Sequence, residues 1–110
     1  ESSGVFTFPS TGIYWINATA YLSSTGVVAY GGIAIQITIN NADYTSSAEA
    51  YNNSQATSQN LSTSTKYILD VTDTTNIKFR LNGGSDGNVT YGGNTASNLT
   101  SVSVIRLGDT

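Results

Sequence analysis

Between Gly32 and Asn40 the chain reads GIAIQITIN, with isoleucine at 33, 35, 37 and 39 and Ala34, Gln36, Thr38 and Asn40 between them. A strict period of two puts every isoleucine on one face, which fits a half-buried β-strand and no helix. The pattern recurs. LSTSTKYILDV sets Tyr67, Leu69 and Val71 against Lys66, Ile68 and Asp70; IKFRL sets Ile77, Phe79 and Leu81 against Lys78 and Arg80. VFTF at 5–8, residues 13–22 and LTSVSVIRL at the end alternate too. No stretch of ten residues carries a helical period. Ser, Thr and Asn make up about forty of the 110 residues, and there are eleven Gly. Thr suits strands, and Asn, Ser and Gly suit tight turns. Six to eight strands with a turn about every ten residues predict one all-β domain, an antiparallel β-sandwich. The length is enough for one core.

The turns predict the boundaries. PSTG at 9–12 is a turn in which Gly12 takes φ > 0. SSTG and the Gly31–Gly32 pair bracket a short Val27–Tyr30 segment. NNAD at 40–43 closes a hairpin. Residues 44–60 read as one edge strand and a loop, TDTTN as a turn, NGGSDGN at 82–88 as a loop, and VTYGGNTASN as a poor strand or an extended loop.

Composition narrows the chemistry. Cys, His and Met are absent. Disulfides and thiolate metal sites are therefore excluded, as are the commonest general base and the commonest transition-metal ligand. The missing Met makes a fragment or a processed chain the expectation. The net charge is −3, and the four cations Lys66, Lys78, Arg80 and Arg106 are scattered. Nucleic acid, which needs clustered Lys and Arg, is not an expected partner. No apolar run approaches the ~18 residues of a membrane helix, so membrane insertion is not expected. The acids Glu1, Asp43, Glu49, Asp70, Asp73, Asp86 and Asp109 fall in no catalytic motif, and most sit in turns. A Ser–Lys pair at S-x-x-K spacing is missing too. The expectation is a protein that is not an enzyme. The Gly-rich 82–88 segment offers Ca2+ one acid, Asp86, with Asn82 and Asn88. Calcium takes six to eight oxygens, usually from several carboxylates, so a plain loop is the stronger expectation. The five N-x-S/T sequons, at Asn17, Asn52, Asn60, Asn88 and Asn98, are close to what this composition gives by chance.

Two features point outward. Seven tyrosines among many Asn and Ser suit a carbohydrate or protein recognition surface, since Tyr gives contact area at low entropic cost. Tyr30, Tyr44, Tyr51 and Tyr91 lie in loop-rich segments and are the candidates for exposed binding aromatics; edge-strand packing is their alternative. The second feature is the strand at 13–22. Tyr14, Ile16, Ala18, Ala20 and Leu22 form one apolar face, yet the other carries Ile13, Trp15 and Tyr21. At roughly 25 cal/mol per Å2, burying about 200 Å2 of a Trp is worth about 5 kcal/mol as an upper bound. Trp15 either packs under Val27–Tyr30 of its own chain or faces another subunit.

SGVFTFPSTGIYWINATAYL resembles the C1q/TNF-like pattern G-x-F-x-x-P-x-x-G-x-Y, matched by Gly4, Phe6, Pro9, Gly12 and Tyr14. IAIQITINNADY, LSTSTKYILDVTDTTNIKFRL and LTSVSVIRLG resemble the later strands in order, so the similarity spans residues 4–108. Two departures stand out. The family's opening strand is missing before Gly4, and Thr72–Asp73 replaces its Gly-Asp turn. The Asn/Ser/Thr-rich texture is most similar to the C1q-like tips of phage and other viral fibres, with bacterial surface filaments comparable.

The resemblance implies a jelly roll that assembles as a homotrimer, with Trp15, Tyr21, Ile105 and Leu107 at the subunit interface. It implies one domain over residues 1–110, the C-terminal part of a longer fibre or filament protein. Its function would be trimerisation and attachment to a host surface receptor or glycan, on a virion surface or otherwise outside the cell. Other classes remain open: a purely structural trimerisation or decoration domain, a filament tip, a secreted signalling ligand, or a monomeric carbohydrate-binding module.

Overall fold

The computed structural model describes residues 1–110 and contains eight strands. They are β1 (Val5–Phe6), β2 (Gly12–Ser24), β3 (Val28–Thr38), β4 (Thr45–Ser54), β5 (Asn60–Val71), β6 (Lys78–Ser85), β7 (Val89–Gly92) and β8 (Ser101–Gly108). All pairings are antiparallel. One sheet, here sheet A, has the order β1-β6-β3-β4. In sheet B, β2 is flanked by β5 on one side and by β7 and β8 on the other. The chain is an all-β sandwich, as its periodicity predicts.

β2 is the spine. Thirteen residues at ~3.4 Å each span about 44 Å, the length of the molecule's 46 Å long axis. Along it, inward residues alternate with half-buried ones at every step. Tyr14, Ile16, Ala18, Ala20 and Leu22, flanked by Leu61, Leu69 and Val71 of β5, face Ile33, Ile35 and Ile37 of β3 and Phe79 of β6 across the sandwich, all in one core. The small residues Ala18 and Ala20 pair with the buried Thr65 and Thr63, which thins sheet B at mid-length. Phe8 lies 4.6 Å from Tyr14 and 5.7 Å from Phe79, and Phe6 stacks on Phe79 at 4.7 Å, closing one end of the core with aromatic rings. The Tyr14 hydroxyl donates to the Ser10 carbonyl at 2.9 Å, so burial leaves it satisfied.

The pairs β1·β6, β2·β5 and β3·β4 are concentric, as in one long hairpin folded over so that its limbs fall alternately in the two sheets.

The turns behave as their side chains dictate. Gly12 has φ +148°, and a Cβ there would lie 2.6 Å from the Gly108 carbonyl oxygen. Asn41 takes the left-handed conformation with φ 59°, while Asn40 Oδ1 accepts the backbone N–H groups of Ala42 and Asp43. Asp73 Oδ1 accepts the Thr75 N–H at 2.7 Å; that bond, with one from the Asn76 side chain, holds the carboxyl below its ordinary 3.8.

Two boundaries differ from expectation. Gly31–Gly32 does not end a segment: β3 runs through it, with a bulge between Val28 and Gly31. Asn82–Ser85 is strand, not loop, paired with Ala34–Gly31. Glycine acts here as a residue without bulk rather than as a breaker. A Cβ on Gly32 would sit 2.0 Å from the Ala50 carbonyl oxygen and 2.7 Å from the Tyr51 ring.

Candidate functional site

Two outer faces carry the candidate residues. On sheet B, Trp15 is the register partner of Ile68 on β5 and of Ile105 on β8, so the three side chains form one row across the sheet. Ile68 is 63% exposed and Ile105 51%, leaving the half-buried Trp15 between two open isoleucines. Leu107, 58% exposed, follows two residues along β8, and the half-buried Ile13 follows on β2. Trp15 points away from sheet A, which contains Val28–Tyr30, because its neighbours Tyr14 and Ile16 point in. The expectation that it could pack under that segment is corrected.

Beyond this patch the face turns polar. The next rows are Lys66–Asn17–Ser103 and Ser64–Thr19–Ser101. Tyr21 lies six residues, about 20 Å, up β2 from Trp15. Its hydroxyl donates to Asn60 Oδ1 at 2.7 Å and its ring covers Gly92. The structure thus groups Trp15, Ile105 and Leu107 and sets Tyr21 apart. Ile68 belongs with the group. Its signal in the sequence was an isoleucine on the outward face of β5 between Lys66 and Asp70.

β8 is held at its end by Arg106, whose Nε and Nη2 both donate to the Thr11 carbonyl, at 3.1 and 3.0 Å, with Nη2 also 2.5 Å from Asp109.

The outer face of sheet A carries the tyrosines. Tyr51 of β4 is opposite Gly32, and Gly32 is opposite Gly84, so the Tyr51 ring lies over a floor of glycine. Tyr30, in the β3 bulge, meets Tyr51 edge-to-face with centroids 5.9 Å apart. The two are 47% and 48% exposed. They are strand residues rather than loop residues. Tyr91 is different in kind. It pairs with the inward Leu22 and crosses from sheet B to sheet A, where its hydroxyl donates to the carbonyls of Gly32 at 2.6 Å and Gly84 at 3.2 Å. Burial pushes its phenol pKa up from the ordinary 10.0, against the pull of those two bonds. Expected as an exposed loop aromatic, it is 38% exposed but lies on strand β7, and its hydroxyl makes it a strut between the sheets. Tyr44 is half-buried, with the Arg80 guanidinium 4.3 Å from its ring centroid and Arg80 Nε donating to Gln36 Oε1 at 2.7 Å.

Asp86 pins the tyrosine bulge. Its carboxylate accepts the Ala29 N–H at 2.6 Å, and its own N–H donates to the Tyr30 carbonyl at 3.1 Å. Asn88 turns its amide to the Val27 carbonyl, and Asn82 sits on β6 opposite Ala34. The side chains expected to offer oxygens to Ca2+ serve separate parts of the fold, and no three of the chain's acids gather in one place. One groove of about 310 Å3 opens beside the β3–β4 turn, lined by Ile37, Ile39, Asp43, Thr45 and Tyr67 among others.

No helix is long and apolar enough to cross a membrane. No family model matches the chain, and no curated protein matches it.

Proposed function

We propose that this domain is a non-enzymatic attachment module of the jelly-roll type that assembles as a homotrimer through the outer face of sheet B. The observation that carries the proposal is the row Ile68–Trp15–Ile105, extended by Leu107. An exposed apolar cluster of this kind marks a protein contact. The polar rows above it, ending at Tyr21, suit the rim of that contact. The concentric strand pairs support the jelly-roll assignment, since a jelly roll is such a hairpin rolled into two sheets. The side chains left free on the opposite face then point away from the subunit contact, where a host receptor or glycan is met. Three copies multiply a weak single-site affinity through effective concentration. A virion or other extracellular surface is the setting this implies.

Light scattering after size exclusion at low concentration tests the assembly. A particle of three times 11.5 kDa is expected. A particle of 11.5 kDa at every concentration overturns the trimer and leaves a monomeric carbohydrate-binding module as the reading to pursue.

A further inference from the structure

We infer that Tyr30 and Tyr51 form a stacking platform for a neutral saccharide on the outer face of sheet A. This rests on the attachment function proposed above and names its ligand class.

The two rings meet edge-to-face, so they form a corner rather than a flat strip. The C–H face of a pyranose is weakly positive and stacks on the electron-rich face of a phenol ring. In a corner, one ring takes that face while the other bounds the sugar from the side, so the geometry fits one or two sugar units rather than a long flat chain. Both rings are set in place before a ligand arrives. Tyr51 lies down on Gly32 and Gly84 because neither has a side chain to lift it. The backbone that carries Tyr30 is pinned by two hydrogen bonds from Asp86, to the Ala29 N–H and the Tyr30 carbonyl, and the Tyr30 ring meets the Tyr51 ring edge-to-face. Pre-positioned aromatics lose little freedom on binding, which favours affinity for a small ligand.

The charge around the platform selects the class of sugar. Glu49 is two residues from Tyr51 on the same strand face, and Asp86 bonds the backbone at Ala29 and Tyr30. The cation placed on this face nearest along β6 is Arg80, four residues from Gly84 or about 13 Å, and Tyr44 and Gln36 already engage it. A sialylated or sulfated glycan would meet negative charge with no cation to answer it. A neutral sugar meets hydroxyl, carboxylate and amide partners, with Asn82 beside Ala34 in the row next to the glycines.

The test uses the whole domain and an array of neutral galactose- and N-acetylglucosamine-terminated oligosaccharides beside their sialylated counterparts. Monovalent probes from the same set are then titrated by NMR, so that per-site affinity is read independently of assembly. The expected result is binding to neutral probes, with backbone shifts centred on Tyr30, Tyr51 and Gly84. Tyr51→Ala and Tyr30→Ala should each weaken binding tenfold or more. Tyr30→Ala is the safeguard should removal of the Tyr51 ring disturb sheet A, with circular dichroism as the check on folding. Unchanged affinity in a folded Tyr30→Ala protein overturns the platform, as do shifts centred on the Asp43 groove, preference for sialylated probes, or no glycan binding at all. Attachment fails separately: a domain that labels host cells but ignores neutral sugars loses only the saccharide assignment, and one that binds neutral sugars but labels no cells loses only attachment.

Discussion

The outer faces of the two sheets differ in how their aromatic residues are held. On sheet B, Trp15 stands in a row of branched aliphatics, and its exposed flanks are Ile68 and Ile105. Apart from the indole N–H of Trp15, which has no partner in the protomer, the row is apolar surface that gains by being taken out of water. On sheet A, Tyr51 and Tyr30 rest on glycine and on a bulge, with hydroxyls that water can serve. An apolar row is stabilised by being covered permanently. A tyrosine corner tolerates being uncovered and covered again. The same strand architecture therefore offers one surface suited to lasting contact and one suited to reversible contact.

That contrast can be broken by substitution, and the largest effect is expected at Gly32. Gly32→Val places a side chain where a Cβ already meets the Ala50 carbonyl at 2.0 Å. Denaturant unfolding should show a loss of about 3 kcal/mol or more, because backbone must move. A loss under 1 kcal/mol would mean that sheet A yields easily and that the tyrosine corner is not pre-set. On the other face, Ile68→Ser combined with Ile105→Ser should cut the native mass from three times 11.5 kDa to one. Both residues are open in the protomer, so its own stability should stay within about 0.5 kcal/mol per site. A trimer that survives the pair would place the contact elsewhere.

Smaller effects sharpen the comparison. Tyr91→Phe removes the donor to the Gly32 and Gly84 carbonyls and should cost about 1 kcal/mol. It should also remove an alkaline loss of stability. The Tyr91 phenol is raised in the folded state, so the folded chain keeps its proton above pH 10 where the unfolded chain releases it. Stability is then full below pH 10 and falls as pH rises through the folded value. The smallest change is expected at Asp73. Its carboxyl is held low, so its contribution is present above pH 3.8 and is lost as pH falls through the lower folded value. Asp73→Asn should flatten thermal stability against pH in that acid range and lower it slightly at neutral pH, where the charged carboxylate's contribution is present.

How far the sequence could be read depended on the range of the interaction. Alternation located β2, β3, β5, β6 and β8 because the core imposes it residue by residue, and it assigned Tyr14 to Leu22 to the correct face. It also marked Ile13, Trp15 and Tyr21 as a second apolar face of β2, to which the resemblance added Ile105 and Leu107, without revealing that Ile68 completes the row or that Tyr21 stands apart from it. That needs the register of β2 against β5. Gly31–Gly32 and Gly83–Gly84 were read as punctuation, although Tyr51 demands Gly32 and Gly84, and Tyr91 demands Gly83, inside strands, while a side chain on Gly31 would crowd Val89 and Leu22. Those demands come from residues far along the chain and leave no local trace. The same holds for Asp86, whose partner Ala29 is 57 residues away, and for Tyr91, whose partner Gly32 is 59 away. One local clue was there: Val89 and Tyr91 alternate around Thr90, a pattern that suits the short β7 better than a loop.

β2 is joined to β5 by twelve successive register pairs, while β7 and β8 divide its other side. If force is applied along the β2 axis, the twelve pairs lie in parallel with respect to the load, and the ladder must shear as a unit. The four pairs to β7 at one end are sheared along the same axis but form a ladder only a third as long. A domain anchored through β2 would resist tension by its longest ladder and give way first at the β7 end.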